Sequence, residues 1–407
     1  MPNKRKYYRQ RRSWLSTAIA ACCGVIIVAC VVTIVVLLTG GRRAPNDAQA
    51  MADMSDEYAL SLERQPAAEP TAEPTAEPIA EATAEPAADM TTEPVAEATP
   101  EPTAEPAEPF EYLPVVIGNR ISDKRIAITV DDCFQMENLK TIANLATSNG
   151  GKLTLFPIGK NVVRDGMPEI LQECVFNRGF EVENHTYNHA RIFRLPVEQM
   201  AAEIWQQSAA VNYALGVNYQ QHFFRFMGGD GYKDQRSHAY LKQLGFLGIA
   251  NWSISGSDTS IDGIKSSLSP GHISLFHTTD ADTKKLKEFI PYAVSQGYQL
   301  VTLNELFGLP DNEISDLSTF DLNMPEPEPY VQDYVEMKKG DYAWSILLMQ
   351  QRLCELGFLD ANNGVNGNAA DGAFGSGTVE AVKKYQASVG LPVTGVADVE
   401  TQKRLMG

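Results

Sequence analysis

The chain has 407 residues, a length that accommodates two or three folded domains, and it carries a formal net charge of −17. The charge is unevenly distributed, because residues 1–43 carry +8, residues 44–111 carry −16 and the remaining residues carry −9. No basic patch occurs in the sequence beyond residue 43, which argues against a nucleic-acid-binding protein. The six cysteines are too few for a disulfide scaffold, and the three outside the apolar run lack the spacing of metal ligands.

Residues 15–41 contain no charged side chain and are long enough to cross a bilayer as a helix. Six Lys or Arg residues precede this run and two follow it, so the positive-inside rule places residues 1–14 in the cytoplasm as a basic tail. Ile27-Val28-Ala29-Cys30 resembles a lipoprotein cleavage site, but the apolar run continues past Cys30, which favours an uncleaved anchor. We therefore expect a single-pass protein of the cell membrane whose later domains are extracellular.

Residues 42–112 form an acidic, proline-rich segment. Between Glu69 and Glu105 an acidic residue recurs at every fourth position, and ten prolines lie between residues 66 and 109. Proline at this frequency removes the backbone donors that a helix needs, and like charges extend the chain. The segment is predicted to be a disordered extracellular stalk that holds the following domains away from the membrane.

Seven short apolar or β-branched runs alternate with amphipathic stretches between residues 113 and 309. The predicted strands are 125–131, 152–158, 180–184, 222–226, 247–252, 272–277 and 299–302. The predicted helices between them include 197–214 and 282–295. This alternation predicts an α/β domain, either a barrel or a doubly wound sheet, and in both the active site lies at the carboxyl ends of the strands.

Polar side chains end several of these strands. Asp131 and Asp132 end the first, His185 and His189 follow the third, and His277 ends the sixth. Two histidines four residues apart fall on one face of a helical turn and can chelate one divalent ion. With one Asp they provide three ligands and leave positions open for water, as in catalytic metal sites. Taken alone, the Asp pair is typical of a solvated loop, the two spaced histidines of a surface pair, and His277 of a core histidine. Their joint placement at strand ends favours a catalytic metal site.

Five sequence motifs around these strand ends occur in the same order as in the polysaccharide deacetylase family, the NodB homology domain, and resemble that family over about residues 120–309. The matching elements are TVDD at 129–132, HTYNH at 185–189, Phe224-Arg225, WSISGSD at 252–258 and SLFH at 274–277. The resemblance implies a distorted (β/α)7 barrel over residues 113–309. It also implies a polysaccharide N-deacetylase, which hydrolyses carbon–nitrogen bonds of linear amides.

The resemblance assigns the central roles residue by residue. Asp132, His185 and His189 would hold one divalent metal ion, with zinc favoured and cobalt, nickel or manganese as alternatives. Asp131 would be the general base that activates water, and His277 would be the general acid that protonates the leaving sugar amine.

Five further residues receive supporting roles from the same resemblance. Arg225 would hold Asp131 ionised and oriented, and Asp258 would do the same for protonated His277. Leu275 would line the pocket for the acetyl methyl group. The backbone amide of Gly228 would stabilise the oxyanion, and Trp252 would contact the substrate.

Three departures from the family pattern alter the surroundings of the site. The arginine motif continues Arg225-Phe-Met-Gly-Gly where the family has R-P-P-Y-G. Ser255 replaces the first Asp of the fourth motif, and Thr259 replaces its Trp. Cys133 replaces the glycine that usually follows Asp-Asp, which is expected to place a thiol beside the metal ligands.

After a predicted linker at 310–336, residues 337–407 resemble the peptidoglycan-binding domain of wall hydrolases and are predicted to be a small all-α domain. The resemblance rests on segments 348–359, 371–386 and 390–405. Two apolar stripes at helical spacing are predicted to form its core, the first with Ile346, Met349, Leu353 and Leu356 and the second with Val379, Val382 and Tyr385. The domain is expected to act by attachment to the wall and not by chemistry.

These features together predict a membrane-anchored, metal-dependent hydrolase that removes N-acetyl groups from a cell-wall polysaccharide, with peptidoglycan amino sugars favoured. The expected partners are the cell-wall glycan and, through residues 15–41, the membrane; neither a nucleic acid nor a protein partner is inferred. One alternative is a catalytically inactive barrel that serves as a peptidoglycan-binding scaffold, which the presence of a base, an acid and three ligands disfavours. Another is a deacetylase of a different surface glycan.

Overall fold

The computed structural model describes residues 109–329, 333–362 and 369–407. The predicted anchor at 15–41 and almost all of the predicted stalk lie outside these residues. Among the described helices, none combines the length and the hydrophobicity needed to span a membrane.

Over the described residues the chain forms eleven strands and eleven α-helices. The strands are β1 Val115–Val116, β2 Arg125–Asp132, β3 Thr154–Pro157, β4 Glu181–Val182, β5 Val217–Tyr219, β6 Phe223–Phe224, β7 Gly248–Ala250, β8 Ile254–Ser255, β9 Ile273–His277, β10 Gln299–Val301 and β11 Ile314–Asp316. The helices are α1 Met136–Ser148, α2 Gly159–Val162, α3 Met167–Gln172, α4 Val197–Leu215, α5 Gln235–Gln243, α6 Ile261–Ser266, α7 Asp280–Ser295, α8 Leu303–Phe307, α9 Trp344–Glu355, α10 Ser376–Ser388 and α11 Val399–Met406.

The predicted elements are present where the sequence placed them. Each of the seven predicted strands overlaps an observed one, and the helix predicted at 197–214 ends one residue later. The helix predicted at 282–295 begins two residues earlier, because the Thr279 side chain caps it by accepting from the Asp282 N–H. The short strands β1, β5, β8 and β11 were not predicted.

Strand β2 is the centre of the larger sheet. It pairs in parallel with β3 and β10 on one side and with β9 on the other, and the main order is β4-β3-β2-β9-β8. A second parallel sheet has the order β1-β7-β6, and a single parallel bridge between Asn184 and Phe224 joins the two sheets. Residues 126–131 of β2 are all buried, as expected of a parallel strand covered on both faces. The irregular parallel architecture agrees with the predicted α/β class and brings the carboxyl ends of the strands together.

The C-terminal helices α9, α10 and α11 enclose a separate core, in agreement with the predicted all-α domain. The predicted stripes are buried or partly buried apart from Leu356, which is 42% exposed. Leu356 is exposed because α9 ends at Glu355, so the helical period that would turn this side chain inward does not continue.

Candidate active site

The carboxyl ends of the strands bring the predicted site residues together. Asp131, near the end of β2, pairs with His277 at the end of β9. Where the two sheets meet, the bridge between Asn184 and Phe224 places His185 and Arg225 at adjacent positions immediately afterwards. Because the strands are parallel and in register, residues up to 146 positions apart in the sequence lie at the same edge of the sheets.

Asp132, His185 and His189 form a set of three ligand groups whose atoms lie within 4.8 Å of one another. Asp132 Oδ1 is 3.7 Å from His185 Nε2 and 3.5 Å from His189 Nε2. This oxygen is buried, and none of the described residues gives it a hydrogen bond. A buried acceptor without a donor beside two imidazole nitrogens suits a divalent cation.

The environment of His185 fixes which ring nitrogen faces this set. His185 Nδ1 lies 2.8 Å from the Arg225 carbonyl oxygen, to which it can only donate, so Nε2 presents its lone pair toward Asp132. Burial, together with the neighbouring His189, lowers the pKa of His185 to about 3. The imidazole is therefore neutral at neutral pH, as a metal ligand must be.

The two histidines do not lie on a helical turn, so that part of the sequence interpretation was wrong. Thr186 and His189 have left-handed backbone angles, with φ of 65° and 63°. Asn188 donates to the Glu203 carboxylate through its backbone N–H at 2.8 Å and its side chain at 2.9 Å, so a side chain of α4 replaces the helical hydrogen-bond ladder. Sequence reasoning missed Glu203, for which the only signal was an acidic residue within an otherwise largely apolar stretch of α4.

Arg225 is a fully buried cation that holds Asp131. Its Nη1 donates to Asp131 Oδ1 at 2.5 Å and to Thr129 Oγ1 at 2.8 Å, and its Nε donates to the Ala250 carbonyl at 2.8 Å. The other carboxylate oxygen of Asp131, Oδ2, lies 3.7 Å from His185 Nε2. Burial raises the pKa of Asp131, and the Arg225 charge offsets part of this rise. The predicted Arg225–Asp131 pair is thus present, and it leaves Oδ2 facing the metal-ligand set.

His277 is supported by Asp282 through Ser257, and not by Asp258 as predicted. The Ser257 hydroxyl lies 2.8 Å from His277 Nδ1 and donates to Asp282 Oδ2 at 2.6 Å. The same oxygen accepts from the backbone N–H of His277 at 2.8 Å. Asp258 is exposed and accepts from the Ser255 hydroxyl at 2.6 Å. The substitution of Ser for Asp at position 255 provides this partner for Asp258, while the first turn of α7 brings Asp282 back beneath His277.

The electrostatics at His277 favour its charged form. Burial by itself lowers the pKa of His277, but the hydrogen bond with Asp282 and the charges of Asp131 and Asp132 outweigh it and raise the pKa above its ordinary value. Asp282 could have been suspected from sequence as an acidic residue five positions after His277, in the first turn of the predicted helix.

The three predicted substrate-binding residues lie around this set. Leu275 is buried and precedes His277 by two positions on β9, so both side chains project from the same face of the strand. Gly228 lies in the short turn Met227–Gly229 that follows Arg225. The Trp252 ring lies 5.7 Å from the Arg225 guanidinium, measured to the ring centroid.

Cys133 directly follows the predicted ligand Asp132, but its side chain is fully buried in the hydrophobic core. Asp132 and Cys133 both have left-handed backbone angles, with φ of 64° and 53°, and the chain turns so that Asp132 faces the site and Cys133 the core. The Cys133 thiol is 3.7 Å from the Val130 carbonyl oxygen. Burial raises the pKa of this thiol well above its usual value, so it is not a thiolate at neutral pH.

Comparison with known proteins identifies both domains. Residues 118–249 match the family model of the polysaccharide deacetylases, and residues 345–405 match that of the peptidoglycan binding domain. A peptidoglycan-N-acetylglucosamine deacetylase of Bacillus cereus is 25% identical over 194 residues, which cover 45% of this chain and 68% of the relative. An uncharacterized protein of Bacillus subtilis is 24% identical over 198 residues, which cover 47% of this chain and 60% of that protein.

Solved structures resemble the chain over about half its length. A peptidoglycan N-acetylglucosamine deacetylase in complex with a hydroxamate-type ligand gives a TM-score of 0.44 at 24% identity, covering 49% of this chain and 95% of the other. A pseudoenzyme of the CE4 carbohydrate esterase family from Bacillus anthracis gives 0.42 at 20% identity, covering 47% and 68%. The family identification made from the sequence is confirmed by the two family matches: the chain carries a polysaccharide N-deacetylase domain, a hydrolase, followed by a peptidoglycan-binding domain.

Proposed function

We propose that the protein is a membrane-anchored, metal-dependent hydrolase that removes N-acetyl groups from peptidoglycan amino sugars. The observation that carries the proposal is the joint presence of a buried base, a supported acid and three ligand groups at one end of the barrel. The C-terminal domain and the named substrate of the Bacillus cereus relative support a wall glycan as substrate. The membrane anchor rests on the uncharged segment 15–41 and the basic residues before it.

Asp132, His185 and His189 would hold the divalent ion, for which we favour zinc. Their donor set of one carboxylate and two imidazoles is common at catalytic zinc sites. A bound ion of this kind supplies Lewis-acid polarisation of the acetyl carbonyl.

The remaining chemistry is proton transfer by residues of the chain. Asp131 takes the proton of the attacking water through Oδ2, because Arg225 occupies Oδ1. Burial raises the pKa of Asp131, which makes its carboxylate a stronger base. His277 then donates its proton to the leaving sugar amine from Nε2, since Nδ1 is bound to Ser257.

The substrate is positioned by the residues around this centre. Leu275 lines the pocket for the acetyl methyl group, and the backbone N–H of Gly228 is directed to the developing oxyanion. Trp252 forms a wall of the glycan groove, in a chain where Thr259 and Ser255 replace two other groove residues of the family.

The test is acetate release from defined peptidoglycan fragments, with and without added zinc, by wild type and by Asp131→Asn side by side. We expect zinc-dependent release by wild type only. Release from another N-acetylated surface glycan but not from peptidoglycan would identify a different substrate. If wild type releases no more acetate than Asp131→Asn on any of them, the deacetylase proposal fails and the inactive scaffold replaces it.

A further inference from the structure

Two loops at the site also contact the C-terminal domain. The histidine loop, residues 189–195, begins with His189, and the glycine loop, residues 226–234, contains Gly228. An ion pair between Arg191 and Asp230 joins the two loops. The position of a metal-ligand residue and that of a backbone amide at the site therefore depend on how these loops are held together.

Phe193 of the histidine loop is a fully buried wedge between the glycine loop and the C-terminal domain. Its ring meets Tyr342 of the C-terminal domain edge-on, with the ring centroids 5.7 Å apart. A Cβ atom at Gly231 would lie 2.8 Å from the Phe193 ring, and one at Gly372 would lie 3.1 Å from it. Two glycines, one from each domain, thus leave the space that this ring fills, and both domains contribute to the pocket.

Arg236 connects the ends of both loops to the C-terminal domain. This buried side chain pairs with Asp234 at 3.1 Å and donates to the backbone carbonyl of Leu195 at 2.9 Å and of Phe193 at 3.5 Å. Its guanidinium lies 4.4 Å from the centroid of the Trp344 ring, a cation–π contact with the first residue of α9. Trp344 therefore contacts a group that fixes the histidine loop and the end of the glycine loop.

Complementary charges line the same contact. Lys233 of the glycine loop pairs with the almost fully buried Asp341 at 2.7 Å, and Arg194 of the histidine loop lies 3.6 Å from Asp371. In both pairs the barrel supplies the cation and the C-terminal domain the acid, an arrangement that fixes orientation. A domain that only attaches the enzyme to the wall does not need contacts with two loops of the site.

We propose that the C-terminal domain completes the deacetylase site, with Tyr342 and Trp344 as positioning residues that hold the histidine and glycine loops and, through them, His189 and Gly228. The proposal deepens the proposed function and revises the expectation that this domain acts by attachment alone. Residues that support metal ligands change affinity or activity by about 10–100-fold when they are removed. The contacts of Tyr342 and Trp344 are one step further from the ion, so effects of about tenfold are expected.

The test uses the full chain with Tyr342→Ser and Trp344→Ser combined. We expect the zinc Kd to weaken about tenfold and kcat on a short soluble N-acetylglucosamine oligomer to fall about tenfold, with KM changed by less than about twofold. A short soluble substrate does not need wall attachment, so loss of the wall address cannot account for the fall in kcat. The matched control combines Tyr342→Phe with Trp344→Phe, which keeps both ring contacts and should restore wild-type values.

Two further variants separate this role from general stability. Lys383→Ala changes the same domain at an exposed pair with Glu380 and should leave zinc affinity and kcat unchanged. Lys233→Met removes the ion pair with Asp341 from the barrel side and should shift both values in the same direction as the double Ser variant. Because Lys233→Met leaves the C-terminal domain unaltered, it still tests the proposal if the double Ser variant unfolds that domain.

Wild-type zinc affinity in both the double Ser variant and Lys233→Met would overturn the proposal. So would a loss of affinity in the Phe variant equal to that in the Ser variant. The zinc titration does not depend on turnover. If even wild type releases no acetate, the proposed function fails while the titration still decides whether the C-terminal domain positions His189.

Discussion

Replacing Asp282 with Asn should impair the proposed acid, whereas the same replacement at Asp258 should have little effect. Asp282 Oδ2 accepts from the backbone N–H of His277 at 2.8 Å and from the Ser257 hydroxyl at 2.6 Å, and Ser257 contacts the His277 ring. Asn has nearly the same size but no charge. Asp258 contacts Ser255 at the surface, so Asp258→Asn is a matched control for the change in charge.

The size of the effect follows from what Asp282 does for His277. General acid catalysis contributes about 10²–10⁴-fold, and because His277 itself is retained the loss in kcat/KM should be smaller, about 10–100-fold. The Asp282 hydrogen bond raises the pKa of His277, so its removal lowers that pKa. Since the acid is active only when protonated, the alkaline limb of the pH profile moves to lower pH in Asp282→Asn. A shift of one pH unit corresponds to about 1.4 kcal/mol.

The assay is kcat/KM for acetate release from a soluble N-acetylglucosamine oligomer over a range of pH, with the melting temperature of each variant as the control for folding. Ser257→Ala should shift the alkaline limb in the same direction by a smaller amount, because the His277 ring nitrogen Nδ1 still lies 3.5 Å from Asp282 Oδ2. An unmoved alkaline limb in Asp282→Asn would refute the reasoning. So would a larger loss in Asp258→Asn than in Asp282→Asn.

The other predictions concern the metal, the base and the thiols. The purified protein should bind one divalent ion per chain and His185→Ala none, measured by elemental analysis after dialysis; unchanged metal content would contradict the ligand assignment. Asp131→Asn should keep the ion but lose about 10²–10⁴-fold in kcat, His277→Ala should lose a similar factor, and the double variant should lose much less than the product, since both residues serve one reaction. Cys133 should resist iodoacetamide in the folded protein while the partly exposed Cys354 is alkylated, as followed by mass spectrometry of digested peptides; equal labelling would show that Cys133 is accessible.

The sequence was sufficient for seven of the eleven strands and for the polar residues that end or follow three of them. A buried parallel strand is an apolar run whatever surrounds it, so β2 and the polar pair Asp131-Asp132 could be located without a structure. Parallel register then implies that His185 and His277 meet this pair. The strands and the residues at their ends follow from local composition and from the rule that the carboxyl ends of parallel strands lie at one edge of a sheet.

The partner of His277 could not be predicted in this way. From the sequence, either Asp258 or Asp282 could support His277. Which of them does so depends on how α7 packs beneath β9 and on the hydrogen bond that the Ser255 hydroxyl donates to Asp258. The turn at 185–189 likewise depends on Glu203, a residue of another element that replaces helical hydrogen bonds. These are tertiary contacts, and spacing along the sequence contains no information about them.

The left-handed backbone angles at the site bear on attempts to make this protein more heat-resistant. Among the described residues other than glycine, positive φ angles occur only at Asp132, Cys133, Thr186 and His189, all in the metal-ligand segments. A left-handed angle costs about 1–2 kcal/mol relative to glycine. At Asp132 and His189, whose side chains are only partly buried, little packing offsets that cost, so a screen for melting temperature alone should favour replacements of these two residues. Thr186→Gly would relax the chain between the two histidines, but it would also remove the buried hydroxyl that accepts from the Ala190 N–H, so it would widen the range of positions that the histidines sample. Thermostability selected without an activity or metal-binding screen is therefore expected to accumulate changes first at the positions that the site requires.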